Sequence, residues 1–120
     1  MATYGLEKKT DEELKVITDE IVRRMLENEK LKIDKIILYG SYARGDADEG
    51  SDIDIMVLCD NTDEDVKKNE HNVFCEGWDI GYNHDIIVQT VTKSKEHFYS
   101  WVDDLPYYRN VRDEGIVIYE

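Results

Sequence analysis

Basic residues, cysteine and proline are scarce in this sequence, and long apolar runs are missing. Lysine and arginine total 15 against 28 aspartates and glutamates, so the net charge is −13. A chain this acidic repels long polyanions, which argues against a nucleic-acid-binding groove. No apolar run reaches the roughly 20 residues that cross a membrane, and the charged first residues do not resemble a secretory signal.

Only two cysteines are present, and they lie far apart. Cys59 ends an apolar run, Cys75 falls in a predicted helix, and the pair has no metal-ligand spacing. Both are expected to be ordinary thiols, and a reducing cytoplasm is the predicted compartment. Apolar residues make up 41% of the 120 residues, which is enough for the core of one domain.

Helical and strand patterns alternate along the whole chain, which predicts a single α/β domain over residues 1–120. Thr10 and Glu13 match a capping box, and apolar residues at helical spacing follow them. Phe74 and Trp78 are expected on the buried side of a later helix. We predict helices near 11–29, 63–79, 93–104 and 106–112, strands near 36–39, 52–59, 85–92 and 116–119, a helical turn at 41–44 and a loosely held start at 1–9.

The turn that follows the first predicted strand could bind an anion. Gly40 lets the backbone approach a ligand closely, and Ser41 offers a hydroxyl. The helical turn that follows presents free N–H groups. Taken alone, however, a Gly-Ser pair is more often a structural strand-to-helix turn.

Two aspartates at the start of the next strand are more informative. Asp52 and Asp54 are two residues apart, so their side chains point to the same face of a strand. Like charges on one face repel unless a cation lies between them. Paired carboxylates beside an anion-binding turn suit a magnesium-dependent phosphoryl or nucleotidyl transfer, although Asp-x-Asp also marks solvated strand ends.

Competing motifs fail at specific positions. Gly40 and Gly45 match the first half of a P-loop, but Asp46 stands where the lysine is needed. An EF-hand that begins at Asp46 would have Ser51 in place of its glycine and Val57 in place of its final glutamate. Zinc is not favoured either, because the candidate ligands are all hard oxygens.

Asp85 and Arg44 are further candidates for the same site, and Tyr107 is a candidate for a different role. Asp85 opens the third predicted strand as Asp52 opens the second, so it is the natural third carboxylate if those strands are neighbours. It could equally be an ordinary strand-end aspartate, and Asp79 is its competitor. Arg44 could reach a triphosphate or pair with a surface acid. Tyr107 fits either core packing or a protein-binding patch.

The pattern Gly40-Ser41-x-x-x-Gly45 followed by Ser51-Asp52-x-Asp54-x-x-Val57 resembles the signature of the nucleotidyltransferase fold, the DNA polymerase β-like superfamily. Within that superfamily the chain resembles the minimal nucleotidyltransferases, which are often encoded beside a HEPN-domain protein. The resemblance covers nearly the whole chain. It implies an α/β (α+β) fold in which a small mixed β-sheet is flanked by helices.

The resemblance also implies roles for individual residues. Asp52, Asp54 and Asp85 would be the catalytic carboxylates and would hold two Mg²⁺ ions. The nucleotide, ATP, would be bound by the glycine-serine turn and its surroundings: Gly40, Ser41, Arg44 and Ser51.

The implied reaction is transfer of AMP from ATP to a hydroxyl of a partner protein, such as a HEPN toxin, so that the chain would act as an antitoxin. Two alternatives stay open. The chain could neutralise its partner by contact without turnover, or it could modify a small molecule such as an aminoglycoside. A homo-oligomer is compatible with either.

Overall fold

The computed structural model describes residues 8–120, so most of the predicted loosely held start lies outside the described residues. Within this range five helices and four strands form a mixed α/β fold, which confirms the predicted fold class. No helix among these residues is long and apolar enough to cross a membrane. The elements are α1 (Asp11–Leu26), β1 (Ile33–Tyr39), α2 (Ser41–Arg44), β2 (Ile53–Cys59), α3 (Asp63–Asn83), β3 (Val88–Ser94), α4 (Lys95–Trp101), α5 (Pro106–Glu114) and β4 (Ile116–Tyr119).

The four strands form one mixed sheet in the order β3-β2-β1-β4. Strands β2 and β3 are parallel, whereas β1 is antiparallel to both β2 and β4. The register pairs Asp54 of β2 with Tyr39 of β1 and with Gln89 of β3. These three side chains therefore lie side by side on the same face of the sheet.

Helices cover both faces of the central strand β2. Ile53, Ile55 and Val57 belong to the core under α1 and α3, whereas Met56 and Leu58 belong to the core under α4 and α5. Burial on both faces explains why this strand reads as an almost continuous apolar run. The alternation of side chains places the two aspartates on the α4 and α5 side.

Helix α1 begins as predicted. Thr10 Oγ1 accepts a hydrogen bond from the Glu13 N–H at 3.1 Å, and Glu13 Oε1 accepts one from the Thr10 N–H at 3.0 Å. This capping box satisfies two donors that would otherwise have no partner at the helix start. Ile17, Ile21 and Met25 are buried, as their helical spacing predicts, and the helix ends at Leu26 rather than near residue 29.

Helix α3 differs from prediction in the side chains that it buries. Phe74 and Trp78 are 44% and 47% exposed, so their predicted inward orientation is wrong. The buried side of α3 instead contains Gly77, where an added Cβ would lie 2.8 Å from Thr90 Cγ2 on β3. A small residue lets this helix pack closely on the strand, while Phe74 and Trp78 stay partly exposed.

We expect Phe98→Ala to cost about 3–5 kcal/mol of unfolding free energy, because this fully buried α4 side chain fills the core between the sheet and α5. Urea denaturation measures the change. Tyr82→Ala is the matched control: Tyr82 is 85% exposed, so its loss should change stability by no more than about 0.5 kcal/mol. A Phe98→Ala cost as small as that of the control would contradict the two-layer core.

Candidate active site

Gly40 brings the chain against the Asp54 carboxylate. It follows β1 and adopts φ +78°, a left-handed conformation that favours glycine. A Cβ at this position would collide with Asp54 Oδ2. The Gly40 carbonyl then accepts hydrogen bonds from the N–H groups of Ala43 and Arg44, which starts α2. The glycine therefore places the backbone at Ser41 beside the carboxylate.

The Asp54 carboxylate is half-buried, and its pKa is raised. Burial raises the pKa of Asp54 to about 6, and the negative charge of Asp52 adds to that rise. The Arg44 guanidinium acts in the opposite direction and lowers the pKa. Two carboxylates on one face, one of them partly removed from water, form a site that gains from a bound cation.

Gln89 occupies the position beside the aspartate pair on β3. Its Nε2 donates a hydrogen bond to Asp52 Oδ2 at 2.8 Å, and its backbone pairs with Asp54 in the sheet register. An amide rather than a carboxylate therefore lies next to the pair. Sequence reasoning missed Gln89, because only the strand register shows which β3 residue adjoins Asp54.

Asp85 does not join the pair, which corrects its predicted place at the start of β3. Helix α3 runs to Asn83, and Asp85 follows in a left-handed conformation with φ 56°. The Ile86 N–H then bonds the Gly81 carbonyl at 3.0 Å, so Asp85 terminates the helix in a Schellman-type turn. The strand starts only at Val88.

The described residues contain no group of three or more His, Cys, Asp or Glu side chains that could hold a metal ion. The competing candidate Asp79 is engaged elsewhere, since its carboxylate pairs with Arg24 Nη2 at 2.9 Å. The structure thus places Asp52 beside Asp54, and neither Asp85 nor Asp79 completes a group of three with them among the described residues.

A cavity of about 330 Å³ joins the glycine-serine turn to Asp54. It contains three of the four predicted nucleotide-binding residues. Ser51, the fourth, is held in the loop before β2, where its hydroxyl donates to Asp48 Oδ1 at 2.9 Å. The cavity is lined by Tyr39, Gly40, Ser41, Arg44, Asp54, Tyr107, Asn110, Val111 and Glu114.

Helix α5 supplies a wall that sequence reasoning did not assign to the site. The hydroxyls of Tyr107 and Tyr39 are 2.7 Å apart, and their rings meet edge to face. Burial raises the pKa of both phenols, so they stay protonated at neutral pH. At the rim, Arg44 lies 3.8 Å from the Glu114 carboxylate and 3.2 Å from that of Asp46.

The donor set fits magnesium. Mg²⁺ is a hard cation that proteins commonly hold through one or two carboxylates, with substrate phosphates and water completing the octahedron. Asp52 and Asp54 supply those two carboxylates, and the cavity beside Asp54 has room for phosphate oxygens.

We expect Asp54→Asn to stabilise the metal-free protein near pH 7. The folded-state pKa of Asp54 is raised above its unfolded value. Protonation of Asp54 therefore stabilises the folded protein fully below about pH 4, and this stabilisation is lost as the pH rises through about 6. The neutral amide avoids this loss, which gives a gain of roughly 1 kcal/mol after solvent screening. Urea denaturation with a chelator, at about pH 4 and about pH 7, measures it. Asp104→Asn, at an exposed site, should show no gain.

Substitutions at Asp85 separate its role as a helix terminator from the predicted ligand role. Glycine suits the left-handed turn and alanine does not, so Asp85→Ala should be about 1 kcal/mol less stable than Asp85→Gly. If Mg²⁺ with ATP raises the Tm of the wild type, both variants should show the same rise. Loss of that rise in Asp85→Gly, without loss of folding, would restore Asp85 as a ligand.

Sequence comparisons identify relatives over almost the whole chain. A family model described as "Nucleotidyltransferase domain" matches residues 6–118. "Putative protein adenylyltransferase MJ0604" of Methanocaldococcus jannaschii is 35% identical over 100 residues, which cover 83% of this chain and 92% of the relative. "Putative protein adenylyltransferase MJ0141" of the same organism is 33% identical over 79 residues, or 66% of this chain and 78% of the relative.

Solved structures share the fold at lower identity. A toxin–antitoxin structure with AMP-PNP aligns over 85% of this chain and 72% of that chain, with TM-score 0.56 and 22% identity. The toxin–antitoxin MntA-HpeT, as a mutant with two aspartates two positions apart replaced by glutamate, aligns over the same shares with TM-score 0.56 and 21% identity. With the family match and the geometry in agreement, the chain belongs to the nucleotidyltransferase domain family and is an enzyme of that class.

Proposed function

We propose that this protein is a magnesium-dependent adenylyltransferase that moves AMP from ATP to a hydroxyl of a partner protein. The observation that carries the proposal is the Asp54 carboxylate in one cavity with Gly40, Ser41 and Arg44, while Asp52 lies beside it. The names of the two relatives from Methanocaldococcus jannaschii support an adenylyl group and a protein acceptor.

The glycine-serine turn would receive the triphosphate. The Ser41 hydroxyl and the free N–H groups of this turn would donate hydrogen bonds to phosphate oxygens. Arg44, whose contacts with acids lie at the cavity rim, would exchange them for phosphate. Ser51 would act through the loop, because its hydrogen bonds with Asp48 order the segment that leads into Asp52.

The aspartate pair would hold magnesium together with phosphate oxygens. When bound, magnesium supplies positive charge to the α-phosphate and to the departing pyrophosphate. The acceptor oxygen forms a bond to the α-phosphorus while the bond to pyrophosphate breaks, and the hydroxyl proton passes to solvent. The family resemblance implies two ions held by Asp52, Asp54 and Asp85. Among the described residues Asp85 forms no group of three with the other two, so the proposal assigns magnesium binding to Asp52 and Asp54 alone.

A toxin is the partner that we propose, with a HEPN-domain protein as the expected class. The similarity to solved toxin–antitoxin structures supports a toxin partner. The net charge of −13 favours a basic partner, such as a protein that binds and cuts RNA, because opposite charges accelerate association. The chain would then act as an antitoxin that modifies its toxin.

Label transfer tests this function. The protein is mixed with Mg²⁺, ATP labelled at the α-phosphate and an extract of cells that naturally contain it. We expect one labelled protein band, and Asp54→Asn should weaken that band at least about 100-fold. Asp104→Asn is the matched control, because it removes the same charge at an exposed site. ATP labelled at the γ-phosphate should leave the band unlabelled, since that label departs with pyrophosphate.

Other outcomes would redirect the assignment. If Mg²⁺ with ATP raises the Tm but no protein is labelled, the chain binds its partner without turnover. If the label appears only in small molecules, the acceptor is a metabolite or drug.

A further inference from the structure

Within the described residues 8–120, the outer edge of β3 has no strand paired with it. The sheet order places β3 at one end, and no described strand pairs with its outer side. The Ile53 N–H donates to the Ile87 carbonyl at 2.9 Å, so the backbone groups of Ile87 and Gln89 face β2. The alternate residues Thr90 and Thr92 therefore direct their N–H and C=O groups outward, as a strand that pairs with an added chain does.

A buried hydroxyl beside this edge has no hydrogen-bond partner in the described part of the chain. Thr90 Oγ1 donates to the Val73 carbonyl at 2.7 Å, and Ser94 Oγ donates to the Asp63 carboxylate. Thr92 Oγ1 lies between them, in a residue only 4% exposed, and is unpaired. A buried polar atom without a partner destabilises the fold, so this hydroxyl points to a ligand that would satisfy it.

Thr92 lines a cleft of about 320 Å³ between α3 and the β3 edge. Phe74 forms an apolar wall with nearly half of its surface exposed, and His71 and Glu70 add polar groups on the same helix. Lys93 lies on the strand side. The cleft suits a side chain that has both an apolar part and a polar end.

The β3 edge leads directly to the proposed catalytic pair. On the β3 side of β2, Gln89 donates a hydrogen bond to Asp52. On the opposite side of β2, the turn at Gly40 and Ser41 follows β1. With the triphosphate on the β1 side, the acceptor has the β3 side open to it. A strand added to β3 would lie roughly 10 Å from β2, a span that a tyrosine and the Asp52 side chain cover together.

We propose that the β3 edge binds an extended, basic segment of the acceptor protein as an added strand, which presents the hydroxyl of a tyrosine in that segment to Asp52 and Asp54. This inference rests on the proposed function. A partner segment is favoured over a second copy of the chain, because each copy carries a charge of −13 and two copies repel. Backbone pairing would provide affinity, and the cleft at Thr92 would select one side chain.

A peptide library tests the proposal. Seven-residue peptides with a fixed central tyrosine and mixed flanking residues are incubated with the enzyme, Mg²⁺ and α-labelled ATP. We expect Phe74→Lys to lower peptide labelling at least about tenfold, because it removes the apolar wall of the cleft and repels a basic segment. Tyr82→Lys, at an exposed aromatic of the same helix outside the cleft, should leave labelling unchanged. The rise in Tm with Mg²⁺ and ATP should be equal in both variants.

Thr92→Val separates ligand binding from a structural role. Removal of an unpaired buried hydroxyl should raise the Tm of the free protein, and the same change should lower peptide labelling several-fold. A merely structural residue would move both quantities in the same direction.

N-methylation of the best-labelled peptide tests strand pairing. Only alternate residues of an added strand direct N–H groups to β3, so methylation of that set should lower labelling at least about tenfold, and methylation of the other set should not. Equal loss from both sets, or equal labelling by Phe74→Lys and Tyr82→Lys, overturns the proposal.

The remaining outcomes separate this inference from the proposed function. If no peptide is labelled while a protein in the extract still is, the inference fails and the proposed function stands. If neither is labelled, both fail. If the wild type is a dimer that Phe74→Lys converts to a monomer, a second copy occupies the edge and the proposal is wrong.

Discussion

The close approach of Gly40 to Asp54 is the constraint on which the rest of the site depends. The β1–β2 register sets Tyr39 opposite Asp54, so the residue after Tyr39 must turn away directly over the carboxylate. Only a residue without a Cβ can do so at φ +78°. The same turn starts α2 and sets the positions of Ser41 and Arg44. One missing side chain thus connects the glycine-serine turn with the aspartate pair.

The electrostatics of the site follow from its place under α5. The wall of Tyr39 and Tyr107 takes part of Asp54 out of water, and burial is the main cause of its raised pKa. Arg44 offsets only part of that cost. A carboxylate pair with incomplete compensation favours a cation, and a cation with free coordination positions favours phosphate oxygens.

Helix α3 connects the active site with the β3 edge. Its buried glycine packs against Thr90, which fixes where β3 runs and where the aromatic side of the helix faces. Its last turn ends at Asp85, which explains why β3 begins later than predicted. As a result, Gln89 rather than Asp85 adjoins Asp52, and the cleft at Phe74 and Thr92 opens beside the strand.

The sequence alone determined the features that depend on neighbours a few residues apart. The capping box of Thr10, the turn at Gly40 and the shared face of Asp52 and Asp54 all follow from local spacing, and the structure bears them out. Tertiary structure alone decided the positions of Gln89, Tyr107 and the outward Phe74. These depend on strand register and on which side of a helix packs closest, and both are set by contacts between segments far apart in the chain.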